Sequence, residues 1–220
     1  MKSSQAENPA FRISLNAVSV RFRFQWVFKN LNLEFESSQS YALTGPNGAG
    51  KSTLLRILCG HLTPSKGTIL FSYQQAKVPP EDVYRHISMT GPYMELIEEF
   101  SLVEAIRFHR RFKPFHPSLS DSDVLDLIQL PRNSHHKEIR FFSSGMKQRL
   151  KLALAVLSES RVLMVDEPST NLDQNGIEWY HTLIRQYAGD RLLVVASNVS
   201  DDYRFCRNRI EIGAIGQTSS

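Results

Sequence analysis

The sequence has few cysteines. Its 220 residues contain two, Cys59 and Cys206, and neither belongs to a CxxC pair or to a spacing typical of metal ligands. Both lie among apolar neighbours in the chain, which favours reduced core thiols over a disulfide or a catalytic pair. The sequence thus argues against a disulfide framework, and we expect a reducing compartment such as the cytoplasm.

Long apolar runs are also missing. No window approaches the roughly 18 consecutive apolar residues of a membrane-spanning helix. The polar segment 1–9 lacks the apolar stretch of a signal peptide. If the protein acts at a membrane, we therefore expect another chain to supply the membrane-spanning part.

A strong charge imbalance is absent as well. The formal net charge is +4, and the charged residues are spread along the chain. A mild positive charge suits anionic phosphate ligands, a membrane surface or an ordinary solvated surface. It does not by itself indicate nucleic-acid binding, and we expect no nucleic-acid partner.

The order of the apolar segments predicts the fold class. Strands are predicted at 11–22, 31–35, 41–44, 67–71, 86–89, 162–165 and 192–196, and helices at 51–59, 101–112, 120–130, 143–157 and 176–187. Continuous apolar strands that alternate with helices are typical of an α/β protein whose mostly parallel sheet is covered on both faces. We expect one domain over 1–220, with a core at 11–91 and 159–213 and a helical insertion at 92–150.

A glycine-rich segment between a predicted strand and a predicted helix matches the pattern G-x-x-x-x-G-K-[ST]. Its residues, with the threonine that follows, are Gly45, Pro46, Asn47, Gly48, Ala49, Gly50, Lys51, Ser52 and Thr53. The glycines let successive backbone N–H groups point at one anion, and the start of the helix adds its positive end. The pattern predicts a site where Lys51 contacts the β- and γ-phosphates and the Ser52 hydroxyl contacts Mg²⁺. A plain glycine turn is the alternative.

Two acidic residues follow the apolar run 162–165. Asp166 and Glu167 stand at the carboxyl end of this predicted strand, where ligand sites of α/β proteins lie. We expect Asp166 to hold Mg²⁺ through water and Glu167 to polarise the attacking water. Alone, such a pair is more often two solvated acids at a strand end, but the glycine-rich segment 45–53, called the phosphate loop below, favours the functional interpretation.

The segment before the predicted strand 162–165 indicates which family of phosphate-binding proteins the chain resembles. Residues 142–149 resemble the LSGGQ-x-x-R signature of ATP-binding cassette proteins, with Ser143 and Gly145 in the matching places. Residues 168–173 resemble the D-loop of that family, and 60–67 resemble its G-L-x-x-P-x-x-G segment. A serine and a glycine that open a helix can also form an anion site, although Ser143 or Ser144 could be a simple helix cap.

This resemblance covers about residues 12–212 and implies much of the architecture. It implies a P-loop NTPase core with a mostly parallel sheet, an N-terminal antiparallel β subdomain and an inserted helical subdomain. It also implies ATP and Mg²⁺ as ligands, and a head-to-tail dimer, either a homodimer or a heterodimer with a related ATPase. A separate transmembrane permease subunit would then be the partner, with this chain at the cytoplasmic, inner face of the cell membrane.

Further site residues follow from the same resemblance. Asp173 of the D-loop would approach the nucleotide, and Ser143 and Gly145 would cover the ATP held by the other subunit. An aromatic residue of the first hairpin would stack on adenine. Counting along the chain places Phe22 there, with Phe24 and Trp26 as rivals, whereas an aromatic residue on an alternating strand often belongs to the core.

The chain departs from the family pattern in four places. Pro92 occupies the place of the usual glutamine at the start of the helical insertion, and Asn198 that of the histidine after the last core strand. Ser144 and Met146 stand where glycine and glutamine are usual. Asn198 can still donate an amide hydrogen to a phosphate oxygen and would act with Glu167 in catalysis, but it is neutral. We therefore expect slow hydrolysis in the isolated chain.

Three functions remain open at this point. The first is the ATPase subunit of a membrane transporter, for which the segment 93–100, with apolar and acidic residues together, would contact the permease or be an ordinary loop. The second is a non-transport ATPase acting on nucleic acid or ribosomes, although such proteins usually carry two cassettes or strongly basic arms. The third is an ATP-binding module with very weak hydrolysis.

Overall fold

The computed structural model of the protein describes residues 10–213. Within that range the strands are β1 (Phe11–Phe22), β2 (Gln25–Glu36), β3 (Ser40–Thr44), β4 (Lys66–Tyr73), β5 (Ala76–Lys77), β6 (Ile87–Thr90), β7 (Val162–Asp166), β8 (Leu192–Ala196) and β9 (Asn208–Glu211). The α-helices of the same range are α1 (Lys51–Leu58), α2 (Val83–His86), α3 (Leu102–Phe112), α4 (Asp121–Ile128), α5 (Ser144–Leu157) and α6 (Gln174–Tyr187). No helix among these residues is long and apolar enough to span a bilayer.

A five-stranded sheet forms the centre of the fold. Its order is β6-β7-β8-β3-β9, and every neighbouring pair is parallel. Every residue of β7 and β8 is buried, as expected for parallel strands that are covered on both faces. Because parallel strands end at the same edge, Thr44, Thr90, Asp166 and Ala196 lie along one border of this sheet.

The two faces of the central sheet belong to two different cores. Alternate residues of β7 and β8, including Val165 and Val195, pack with helices α3 to α6. The intervening residues, including Met164 and Val194, pack with α1 and with the buried side of β1 and β2. Because successive residues of a strand face opposite sides of the sheet, alternate residues of β7 and β8 belong to different cores.

A second sheet covers one of these faces. It is antiparallel, with the order β2-β1-β4-β5. Helices α3, α4 and α5 lie between β6 and β7 in the chain. The predicted α/β fold class, with an antiparallel N-terminal sheet and inserted helices, is confirmed.

Some element boundaries were wrong. The strand predicted at 86–89 begins at Ile87, because His86 still belongs to α2. Lys113 Nζ satisfies carbonyls at this junction, those of Tyr84 at 2.6 Å and Ile87 at 2.8 Å. The predicted strand 31–35 is the end of the longer β2, whose first residues, 25–28, also pair with β1. The short strand β9, which pairs with β3, was not predicted.

The predicted start of α4 is confirmed in detail. Ser120 Oγ accepts a hydrogen bond from the Asp123 N–H at 3.2 Å, and Asp123 Oδ2 accepts one from the Ser120 N–H at 2.8 Å. The start of α3 uses the same reciprocal arrangement, between Ser101 and Glu104. Each cap satisfies N–H groups that a helix cannot pair internally.

One arginine joins the ends of two helices to the start of β8. The half-buried Arg191 donates to the carbonyls of Val156 at 2.8 Å, Ser158 at 3.2 Å and Ala188 at 3.0 Å, and also to that of Tyr187. Its guanidinium thus satisfies carbonyls that α5 and α6 leave unpaired at their carboxyl ends. A cation at this point also opposes the negative ends of both helix dipoles.

We predict that Arg191→Met lowers the free energy of unfolding by on the order of 3 kcal/mol, because it leaves several carbonyl groups without donors. The control is Arg185→Met on the exposed side of α6, which removes only a bond to the exposed Thr182. This control should change stability by less than about 0.5 kcal/mol. Urea unfolding measures both, and equal losses would contradict the role given to Arg191.

Candidate functional site

The glycine-rich loop joins the end of β3 to the start of α1. Gly45 has φ +137° and Gly50 has φ +102°, and a Cβ on either would collide with a neighbour. At Gly45 that Cβ would lie 2.2 Å from the carbonyl oxygen of Ile212, and at Gly50 2.4 Å from Cγ1 of Val27. Only glycine fits these two positions, so the loop conformation is dictated by the sequence.

The amino end of α1 is open to a ligand. Gly50 is its N-cap residue, and no side chain caps the helix there. The first N–H groups of α1 therefore have no internal partner and carry the positive end of the helix dipole. This is the arrangement that binds phosphate groups in proteins.

Lys51 lies inside the curve of the loop. The residue is only 6% exposed, and its Nζ donates to the carbonyl of Gly45 at 2.8 Å and of Pro46 at 3.3 Å. A buried ammonium held by its own loop is a concentrated positive charge at the position where an anion would enter. The chemistry of this loop is that of a polyphosphate site.

Asp166 ends β7 next to the start of α1. It is 3% exposed, and burial raises the pKa of its carboxyl, while the neighbouring Ser52 hydroxyl lowers it. The charge of Glu167 raises this pKa as well, and that of Lys51 lowers it. The carboxyl therefore lies close enough to Ser52 and Lys51 of the loop for both to lower its pKa.

One oxygen of this carboxyl suits a metal ion. Oδ1 of Asp166 is buried and has no hydrogen-bond partner, which is costly for a polar atom unless a ligand completes the site. Mg²⁺ prefers oxygen ligands and is usually bound by one or two carboxylates together with phosphate oxygens and water. The Asp166 carboxyl and the Ser52 hydroxyl fit that requirement.

Glu167 is held in an unusual backbone conformation. Its φ is +47°, in the left-handed region, and its N–H donates to the carbonyl of Ala196 at 2.8 Å. Residues other than glycine adopt this region at a cost of about 1–3 kcal/mol, and such residues cluster at functional sites. The turn that follows closes through Thr170, whose N–H donates to the Glu167 carbonyl at 3.2 Å.

Asn198 reaches the phosphate loop directly. It follows β8, and its Nδ2 donates to Oδ1 of Asn47 at 2.7 Å. Both side chains are exposed, so this bond lies at the open side of the loop. The structure thus brings together Asn47, Lys51, Ser52, Asp166 and Asn198, although they are far apart in the sequence.

The signature segment lies at the start of α5, against the turn after Glu167. Ser143 is the N-cap residue, and its Oγ accepts from the Met146 N–H at 3.2 Å. A Cβ at Gly145 would lie 2.9 Å from the carbonyl oxygen of Asn171. In the part of the chain that the structure describes, no hydrogen bond joins Ser143 or Gly145 to the phosphate loop.

The remaining predicted residues have varied surroundings. Asp173 is the N-cap residue of α6, and its Oδ1 accepts from the Gly176 N–H at 2.8 Å. Phe22 is 50% exposed and Phe24 93% exposed, so both rings could stack on a base. The Trp26 ring is instead surrounded by the cationic groups of three residues, Arg21, Lys29 and Lys66, at 5.4–5.7 Å.

A groove of about 420 Å³ opens beside this site. Residues 87–90 and 94–96 form one wall, and α3 and α5 contribute Phe112 and Leu154. The neighbouring side chains of Tyr93, Met94 and Ile97 are exposed. Apolar surface of this kind next to a groove marks a place where another protein can bind.

Sequence reasoning missed several supporting residues. A Cβ at Gly91 would lie 2.9 Å from Cβ of Asp166, so this position admits no larger side chain without a shift. Gln148 is buried and donates to the carbonyl of Pro168 at 2.9 Å, which fixes the turn after Glu167 to α5. Asp202 is buried beside Ser197. A polar residue within an apolar helix face, such as Gln148, is the kind of signal that could have found them.

Comparison with known proteins agrees with this geometry. The sequence model of the ABC transporter family matches residues 28–170. The Nod factor export ATP-binding protein I of Cupriavidus metallidurans is 29% identical over 192 residues, which are 86% of this chain and 63% of that protein. The lantibiotic transport ATP-binding protein SrtF of Streptococcus pyogenes is 30% identical over 176 residues, 78% of this chain and 73% of its own.

Solved structures share the fold. A dimeric bacterial ABC transporter cassette superposes with a TM-score of 0.77 at 20% sequence identity, covering 91% of this chain and 94% of the other. The family match spans more than half of the chain and includes the phosphate loop, the signature segment and the acidic strand. This chain therefore belongs to the ABC transporter family.

Proposed function

We propose that the chain is the ATP-binding and ATP-hydrolysing subunit of an ABC membrane transporter. The observation that carries this proposal is the convergence at one sheet edge of Lys51, Ser52 and Asp166. An open helix end, a buried cation and a buried carboxyl beside a hydroxyl together suit a nucleoside triphosphate with its metal ion.

The residues of the loop would bind the phosphates. Its N–H groups and those at the start of α1 would donate to phosphate oxygens, and Lys51 would exchange its carbonyl partners for the β- and γ-phosphates. The Ser52 hydroxyl and the Asp166 carboxyl would hold Mg²⁺, which neutralises charge that develops on the phosphates during transfer. Phe22 is our candidate for stacking on adenine, since its ring is exposed at the end of β1.

Glu167 and Asn198 would complete the reaction. Phosphoryl transfer to water requires a group that orients the water and accepts its proton. The left-handed backbone of Glu167 and the bond from its N–H to the Ala196 carbonyl support this role. Asn198 would donate its amide hydrogen to the γ-phosphate, in place of its bond to Asn47.

A second copy, or a related ATPase, would supply the missing half of the site. Ser143 and Gly145 open α5 at an exposed surface and do not bond to their own phosphate loop. We propose that they cover the ATP of the other subunit. Asp173, which caps α6 after the turn that follows Glu167, would lie near the same ATP. Each dimer would then hold two nucleotides between its subunits.

The groove beside residues 93–100 would receive a separate permease subunit at the inner face of the membrane. Strand β6 forms part of the groove wall, and Gly91, which follows β6, lies against Asp166. A partner bound there would therefore sense the nucleotide site through a short, packed connection. Apolar Met94 and Leu96 would contact the partner, and Glu95 at the same groove would suit a basic residue.

A module that binds ATP and barely hydrolyses it is the second candidate. Asn198 bonds to Asn47 rather than to Glu167, and a neutral amide forms weaker bonds to a charged phosphate than a cationic imidazole. Pro92, at the usual place of glutamine, has no side-chain donor or acceptor for a metal-bound water. Turnover in the isolated chain is therefore expected to be slow under either candidate.

We predict that Glu167→Gln keeps ATP bound but slows its cleavage by about 10²–10⁴-fold, because the amide cannot take the proton from water. The trapped nucleotide should also hold two chains together, and size-exclusion chromatography with Mg-ATP would show the dimer. The matched control is the double variant Lys51→Ala/Glu167→Gln, which lacks the cation that binds the phosphates and should elute as a monomer. A single variant that stays monomeric and turns over normally would exclude Glu167 as the base.

Asn198→Ala should lower kcat well below that of the unchanged chain with little effect on ATP affinity, because the donor acts on the γ-phosphate during cleavage. Asn198→His should keep or raise kcat, since a histidine can share positive charge. Asn47→Ala is the control, because it removes the partner seen in the structure but leaves the Asn198 donor. Steady-state ATPase assays with the transport partner present measure all three. Equal rates for the unchanged chain and Asn198→Ala would show that Asn198 only ends the strand.

A further inference from the structure

A buried carboxyl lies directly behind the two turns that carry Glu167 and Asn198. Asp202 is 1% exposed and belongs to a short 3₁₀ turn, Ser200–Tyr203, which follows β8. Burying a carboxyl is costly unless its hydrogen bonds offset the loss of water. None of the catalytic steps proposed above uses this residue, so its burial needs another explanation.

On one side the carboxyl closes the turn of Asn198. Oδ2 of Asp202 accepts from Oγ of Ser197 at 2.5 Å, and the same Oγ accepts from the Val199 N–H at 3.0 Å. The Asp202 N–H also donates to the Val199 carbonyl at 3.1 Å. Asn198 stands between the two residues that this network fixes, so its backbone position depends on Asp202.

On the other side the carboxyl meets the turn of Glu167. Burial raises the pKa of Asp202, and the hydroxyl of Ser197, followed by the hydroxyl and the N–H of Ser169, lowers it. Ser169 is two residues after Glu167, in the turn that the Thr170 N–H closes. Oδ1 of Asp202 is buried and has no hydrogen-bond partner among the described residues, so this side of the carboxyl still has a free acceptor next to the turn of Glu167.

Helix α6 supports the Asp202 turn from below. The hydroxyl of Tyr180 donates to the Asp202 carbonyl at 3.2 Å, and Nε2 of His181 lies 2.6 Å from the Asp201 carbonyl. Both residues are buried in α6. The Asp202 turn is therefore supported by helix α6, and a residue that positions other groups requires such rigid support.

We propose that Asp202 is a positioning residue for ATP cleavage, which keeps the Glu167 turn and the Asn198 turn at a fixed distance from each other. The inference rests on the proposed ATPase function and adds a residue to it. Glu167 and the end of β8 are otherwise joined by the bond from the Glu167 N–H to Ala196. The Asp202 carboxyl adds a second connection between the two turns, with Ser197 on one side of it and Ser169 on the other.

The test measures ATP cleavage per binding site in the full-length chain. Calorimetric titration with a non-hydrolysable ATP analogue counts the sites and gives their Kd, and single-turnover cleavage of Mg-ATP gives the rate at each site. Asp202→Ala should lower the rate by about 10- to 100-fold, the cost of a small misplacement of catalytic groups, with Kd within about twofold. Asp202→Asn keeps one acceptor for Ser197 and should lose less.

Two comparisons separate positioning from general stability. Arg191→Met removes bonds at the opposite ends of β8 and α6, and it should lower the melting temperature while leaving the rate per site unchanged. Ser197→Ala should slow cleavage, and adding it to Asp202→Ala should cost little more, because the two residues act through one bond. Additive losses in this pair would contradict the proposal.

The remaining outcomes are equally decisive. If Asp202→Ala and Asp202→Asn lose activity only in proportion to lost binding sites, or lose none, the positioning role is wrong while the ATPase assignment stands. If the unchanged chain binds ATP but never cleaves it, even with its transport partner, the ATPase function itself fails and the role of Asp202 in cleavage fails with it.

Discussion

The site depends on one constraint, which is that the central strands are completely buried. Apart from Asp166, which ends β7, all residues of β7 and β8 are apolar, because every residue there is enclosed between two apolar cores. Polar chemistry is therefore confined to the edge where the parallel strands end. The phosphate loop after β3, the acids after β7 and Asn198 after β8 all lie along that edge. The register of the sheet places them together before any ligand binds.

The same constraint explains how much the sequence could predict. Short apolar strands that alternate with helices were sufficient to predict the fold class. The phosphate loop and the acidic pair lie at strand ends, where parallel pairing must bring them together. Elements with mixed polarity were harder. The first half of β2, in which polar and apolar residues are mixed, and the short β9 are stabilised by pairing with neighbouring strands rather than by their own pattern. Supporting residues such as Gln148 and Asp202 were missed because their roles depend on contacts between distant segments.

The structure also separates two kinds of site residue. Lys51, Ser52, Asp166 and Glu167 are buried or half-buried and have defined neighbours within the chain. Ser143 and Asp173 instead cap helices at an exposed surface. A cap explains their conformation but not why the start of α5 is packed, through Gly145, against the turn after Glu167. The proposed site shared between two subunits would use these exposed caps, because a bound ATP would then contact the cap of one chain and the loop of the other.

The central claim is that each ATP lies between the phosphate loop of one chain and the signature segment of another. Mixing two inactive variants, Ser143→Arg and Lys51→Ala, tests it most directly. In a mixed dimer one site carries both lesions and the other carries neither, so ATPase activity should return. With random pairing about a quarter of the sites would be intact, since half of the dimers are mixed and each has one good site. No recovery in a mixed dimer confirmed by differential tagging would contradict the shared site.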